Sequence, residues 1–282
     1  MRRNKTVVIL LMVMLLTAVL VVPAMAAVLQ SKYVMIEEEE WEKLAGLSPR
    51  ITDSEAFLAE LDTYVEQVSD FLGKPSVLES YSSNKIKIVV WQLDSSAKFG
   101  TLHLNEIEVK NDLAPIAHQM THMISTMTKI RWLGEGLAQY LQGEFGKNPP
   151  MLTGDAPVDQ LAKEFVETRP EMIPVLGTAD TMTEISFNVF NDKVEEDGIR
   201  YTRAGAFILS YSFSKYLIEN YGKEKFLQIY RTNVVFGLED EYQTIFGKSL
   251  DDLRNEWLDY LDTLEPYEHS YKEWYQQIYS AE

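Results

Sequence analysis

Apolar residues recur at helical spacing after Thr52. Phe57, Leu61, Tyr64, Val65, Val68, Phe71 and Leu72 fall on one face of a helix, which Gly73 and Pro75 end. Thr52 with Glu55 reads as the capping box that starts it. The period then shortens. "KIKIVVW" (85–91) and "EIEVK" (106–110) are β-branched and partly alternating, and predict strands, with a third around "GTLHL". Asp112 opens the next helix, which carries His118 and His122, and a second from about Trp132 carries Glu135. Beyond "GKNPP" the pattern is mostly helical. Asp155 and Pro157 start a helix to about Val166. "RPEMIP" breaks the pattern, 177–200 reads as irregular and acidic, and helices follow at about 202–221, 249–263 and 266–279, set apart by Gly222, Gly237 and Gly247.

The first residues have a different pattern. "MRRNK" is a basic start, Val7 to Val22 is an apolar run with Thr17 within it, and Ala24-Met25-Ala26 is an A-x-A cleavage pattern. These three parts predict a secretory signal peptide over 1–26 and an extracytoplasmic protein. The alternative is an uncleaved N-terminal anchor, for which a run of 16 residues falls just short of the roughly 17–25 that span a bilayer. Residues 27–51 show little core-forming pattern, and "EEEEWEK" reads as a solvated helix or linker.

Charge and cysteine usage narrow the partners. Cleavage after Ala26 removes Arg2, Arg3 and Lys5 and no acid, taking the formal charge from −17 to −20. So acidic a surface excludes nucleic acid and anionic membrane as partners and leaves a peptide or protein ligand. With no cysteine, an exported chain has neither disulfides nor a lipidation site and must rely on its core.

Candidate chemistry is concentrated in "IAHQMTHMISTMTKIRWLGEGLAQYL" (116–141). His118 and His122 are i and i+4, so their rings leave one helix face about a turn apart. Neutral imidazoles at that spacing can hold one Zn²⁺ at about 2.0–2.1 Å each. Glu135 can supply a third ligand, on a helix whose Leu133, Leu137, Tyr140 and Leu141 form a packing face.

H-x-x-x-H followed by "WLGEGLAQY" resembles the glutamate-zincin (gluzincin) metallopeptidases, in particular the peptidase MA-like family, which shows H-E-L-T-H and then W-L-x-E-G-L-A-E-Y. "YTRAGAFILSYSFSKYLIENYGKEKFLQIY" and "IFGKSLDDLRNEWLDYL" are similar to that family's helical tail, so the likeness covers about 86–263. The resemblance implies zinc ligands His118, His122 and Glu135. It also implies an α+β, zincin-like fold: a lobe over 52–148 with a small sheet, whose edge strand near 105–110 lies beside substrate, then a helical lobe over 149–282.

The chain departs from the pattern twice. In the resembled enzymes the glutamate after the first histidine takes a proton from the attacking water and passes it to the leaving amine. Here that position is Gln119, an amide with no titratable proton near neutral pH, and acid–base catalysis typically contributes about 10²–10⁴-fold. The family's acid four residues after the metal glutamate, which orients a ligand histidine, is here Gln139. The expectation is a metallopeptidase homologue with a zinc site and impaired hydrolysis, acting in binding or regulation. An active peptidase using another base, with Glu106 or Glu108 nearby in sequence, and a metal-free structural domain stay open.

Other residues are weighed more briefly. Tyr201 matches the family position for an oxyanion donor, although among fifteen tyrosines a packing role is the favoured reading. His103 reads as surface or packing, His269 as a solvated helix residue, and Met120, Met123 and Met127 as core filler.

Overall fold

A computed structural model describes residues 27–73, 85–98, 100–125, 128–179, 187–195, 200–232 and 237–279. The expected signal peptide (1–26) and Met127 lie outside these. The fold is mixed α/β and mostly helical, with a small five-stranded sheet of order β1-β2-β3-β5-β4. Its strands are β1 (Val28–Gln30), β2 (Val34–Glu37), β3 (Ile86–Trp91), β4 (Ser96–Lys98) and β5 (Thr101–Asn105). β2, β3 and β5 are parallel, and β1 and β4 close the two edges antiparallel.

Alternation decides which sheet face is buried. Val34, Ile36, Ile86, Ile88, Val90, Leu102 and Leu104 are buried, while Met35, Lys87, Val89, Trp91 and His103 on the other face are half-buried. No helix among the described residues is long and apolar enough to cross a membrane.

Residues 27–51 are part of this core, contrary to the sequence reading. "VMIE" is the strand β2 beside β3, and the acidic block forms helix α1 (Glu38–Leu47) with Leu44 fully buried. The acids have specific work. β2 stops pairing at Ile88, and α1 takes over: Glu40 accepts from the Val90 N–H at 2.7 Å and Lys43 donates to the Val90 carbonyl at 2.6 Å. Side chains thus complete a strand that would otherwise carry bare backbone groups. An alternation only four residues long left no legible signal for this.

Three boundaries also move. The helix α2 (Ser54–Phe71) is capped by Asp53, whose side chain accepts from the Ala56 N–H at 3.0 Å, in place of the Thr52 box. "EIEVK" is helix α3 (Glu106–Lys110), because Asn105 Oδ1 accepts from the N–H groups of Ile107 and Glu108 and turns the chain into a helix. The edge nearest the metal helices is therefore β4, not 105–110. Asp112 lies in a turn at φ 54°, outside any helix, and α4 (Ile116–Ile124) begins after Pro115.

Helix α5 (Arg131–Phe145) and then α6 (Val158–Thr168) follow, with a 3-10 segment at Pro170–Val175 over "RPEMIP". Within the acidic stretch, Phe187–Asn191 forms the short helix α7. α8 (Tyr201–Tyr221) is followed by α9 (Lys223–Arg231), α10 (Leu238–Phe246), α11 (Leu250–Asp262) and α12 (Tyr271–Tyr279). The apolar pattern gives neither α9 nor α10, although α9 falls within the segment that resembles a helical tail, and His269 sits in an exposed bend before α12 rather than on a helix. Buried apolar side chains from both halves of the chain form one connected cluster.

α5 lies closely against α8. A Cβ added at Gly136 would stand 2.2 Å from the Ser210 carbonyl oxygen and 2.1 Å from Ser214 Oγ. Only glycine lets these backbones approach so far. Gly136→Ala is expected to destabilise the fold by about 1–3 kcal/mol or more, read as a lowered Tm. An unchanged Tm would contradict this crossing.

A polar cluster pins the far end of α5. Glu60 accepts from Lys147 Nζ at 2.7 Å, Arg50 at 3.0 Å and the Tyr64 hydroxyl at 2.6 Å. Burial pushes the Glu60 carboxyl up, but the hydrogen bonds from Lys147 and Tyr64 and the nearby Arg50 outweigh it and hold it below its ordinary value. Its stabilisation is therefore complete above the unfolded-state pKa of about 4.3 and is lost as pH falls through the lowered folded value. Glu60→Gln should cost about 1–3 kcal/mol at pH 7, and the gap from the parent should close below about pH 4. Thermal melts across this range check it; a gap independent of pH would refute it.

Candidate metal centre

The triad assembles at the α4–α5 crossing. His118 and His122 lie one turn apart on α4, with rings 4.6 Å apart and nearly perpendicular. His118 Nε2 and His122 Nε2 are 3.0 Å apart, and Glu135 Oε2 on α5 lies 3.2 Å from His122 and 3.5 Å from His118. Four donors around a Zn²⁺ at about 2.0–2.1 Å would sit about 3.3–3.4 Å from one another. The donor atoms have both the spacing and the chemistry that such an ion needs.

Burial sets the protonation of His118, and the neighbouring imidazoles set that of Glu135. Loss of solvent pulls the His118 imidazole down to about 4, so it is a neutral lone-pair donor at pH 7. Burial opposes charge on Glu135, yet His122 and His118 beside it more than compensate, holding the carboxyl well below the usual range. His118 and Glu135 side chains are 2% and 8% exposed and His122 28%, so the centre opens to solvent past His122. Phe207 flanks His118, and Phe187 packs on both Phe207 and Trp132 to form an aromatic wall.

Two residues that hold this geometry were missed in the sequence. Arg131 pairs with Glu135 Oε1 at 3.2 Å, leaving Oε2 to face the imidazoles. It stands at i−4 from Glu135, so helical spacing could have found it. Gln142 accepts from the His118 backbone N–H at 2.9 Å and donates to the Asn148 carbonyl, supplying from α5 the cap that Pro115 cannot provide to α4. No local signal points to that bond.

The remaining candidates are placed as follows. The Gln119 side-chain amide donates to the Ser95 carbonyl at 3.2 Å, tying α4 to the loop before β4. Gln139 donates to the Met151 carbonyl at 3.0 Å; among the described residues its Oε1 and the His118 Nδ1, both buried, have no hydrogen-bond partner. The Tyr201 hydroxyl donates to Glu164 at 2.8 Å, with its ring among Phe165, Tyr271 and Tyr275. Glu106 pairs with Lys43, and Glu108 accepts from Ser95 Oγ. His103 stacks on Trp91 at 4.2 Å, and Met120 and Met123 are core residues.

Among known proteins, no family model and no curated protein matches the chain. His118, His122 and Glu135 are also the one group of metal-ligating side chains among the described residues whose ligand atoms converge, all within 4.8 Å of one another.

Proposed function

We propose that this chain is an exported zinc-binding protein of zincin-like fold, related in design to the gluzincin peptidases, with little or no peptidase activity and a role in binding or regulation. The observation that carries the reading is the convergence of two imidazole nitrogens and one carboxylate oxygen at 3.0–3.5 Å. His118, His122 and Glu135 would hold the ion, with Arg131 steering the carboxylate. A bound zinc ion supplies Lewis acidity and lowers the pKa of its water to about 7.

The chain's own residues argue against efficient hydrolysis. Gln119 occupies the position where the resembled enzymes keep a proton acceptor, and its amide is committed to the Ser95 carbonyl. It can neither take up nor deliver a proton near neutral pH. Tyr201 commits its proton to Glu164, and Glu108 is bonded to Ser95. The signal sequence and the acidic mature surface support export and a ligand that is neither nucleic acid nor anionic lipid.

Zinc analysis of the purified protein after dialysis, beside a peptidase assay, tests this reading. One zinc per chain with negligible turnover is expected. Absence of zinc would leave a structural domain, and robust zinc-dependent cleavage would leave an enzyme with a different base.

A further inference from the structure

A cleft of about 750 Å³ opens where the parallel strands β3 and β5 end, and shares none of its lining with the metal triad. Carboxyl ends of parallel strands are a favoured place for ligands, and the volume falls within the usual range of small-molecule sites, about 300–1,000 Å³. Its apolar lining is Trp91, Leu93 and Ile107. Leu93 is 66% exposed, a large side chain held out in water by a tightly bonded loop. Asn105 donates to the Leu93 carbonyl at 3.1 Å, and the Trp91 indole N–H donates to the Asp94 carbonyl at 3.1 Å, so the exposure is built rather than loose.

The charges in the cleft are asymmetric. Both acids are already neutralised: Glu106 by Lys43 at 2.8 Å, and Asp94 by Arg203 at 3.0 Å and Arg200 at 3.3 Å. The bases keep spare capacity. Lys98 is exposed at the end of β4 and, among the described residues, pairs with no acid. Arg200, 40% exposed, makes one long contact through one of its nitrogens and retains donors on the others. In a chain of net charge −17, the uncommitted charge at this cleft is positive.

We propose that this cleft is a second ligand site, taking a small organic anion whose aromatic or apolar body lies on Trp91, Leu93 and Ile107 and whose acid group meets Lys98 and Arg200. The ligand buries the exposed leucine and supplies an anion to Lys98 and to the donors of Arg200 that Asp94 leaves free.

Anilinonaphthalene sulfonate joins an aromatic body to an acid group, and phenylnaphthylamine has the same rings without the acid. Titrated into the purified, folded protein, the sulfonate should bind saturably, at one per chain, with quenching of tryptophan emission. Lys98→Glu and Leu93→Asp, both at exposed positions, should each weaken it at least about tenfold. The neutral analogue should bind at least about tenfold more weakly. Absence of saturable binding, indifference to both substitutions, or equal binding of the neutral analogue would overturn the proposal. Displacement by decanoate would assign the site to a free organic acid. Displacement by a peptide ending in a free phenylalanine carboxylate would assign it to a chain end, and displacement by neither would also overturn the assignment.

Discussion

Replacing His118 or His122 by alanine is expected to abolish the proposed zinc binding at stoichiometric concentrations. Three donors converge within 3.0–3.5 Å, and each substitution leaves two. Structural zinc in four-ligand sites is worth about 10–16 kcal/mol, so one ligand carries roughly 3–4 kcal/mol, or about two to three orders of magnitude in affinity. Competition with a chromophoric chelator reads the change directly. Glu135→Gln should have a similar effect, because it removes the anionic donor. The Tyr201→Phe control should leave affinity unchanged, since that hydroxyl is bonded to Glu164. Equal zinc content in the parent and both histidine variants would remove the metal centre from this account.

Gln119→Glu is expected to raise peptide hydrolysis by about 10²-fold or more over a parent that is close to inactive, because a carboxylate there restores a proton acceptor. The structure adds a cost that the sequence did not show. The amide now donates to the Ser95 carbonyl, and a carboxylate would face that oxygen without a proton to give. The tie between α4 and the β4 loop should break, lowering stability by about 1–3 kcal/mol. Gln119→Met separates the two effects: it also loses the tie but gains no base, so it should lose stability and stay inactive. Two results would contradict the reading. One is robust zinc-dependent cleavage by the parent; the other is a Gln119→Glu variant that binds zinc and yet stays as inactive as Gln119→Met on a broad peptide library.

Legibility followed the range of each interaction. Helix periodicity exposed α2 and the His118–His122 spacing because the causes are local, within one or two turns. The "EIEVK" error has a local remedy too: Asn105 ahead of two glutamates is an N-cap signal, and it overrides an alternation only five residues long. By contrast, nothing near Glu40 or Lys43 shows that they complete the backbone of Val90, some fifty residues away.

The sequence by itself determined which residues could hold a metal, since ligand chemistry and helical spacing are properties of a short segment. It also determined that the acid expected beside the first histidine is an amide. Only the tertiary structure decided the rest: that Glu135 meets both imidazoles, that Gln119 is used as a donor to Ser95, that residues 27–51 enter the sheet, and that Lys98 and Arg200 share a cleft with an exposed leucine. Those outcomes depend on the packing of helices and strands distant in sequence, and each pairing is chosen by the whole core rather than by its own neighbours.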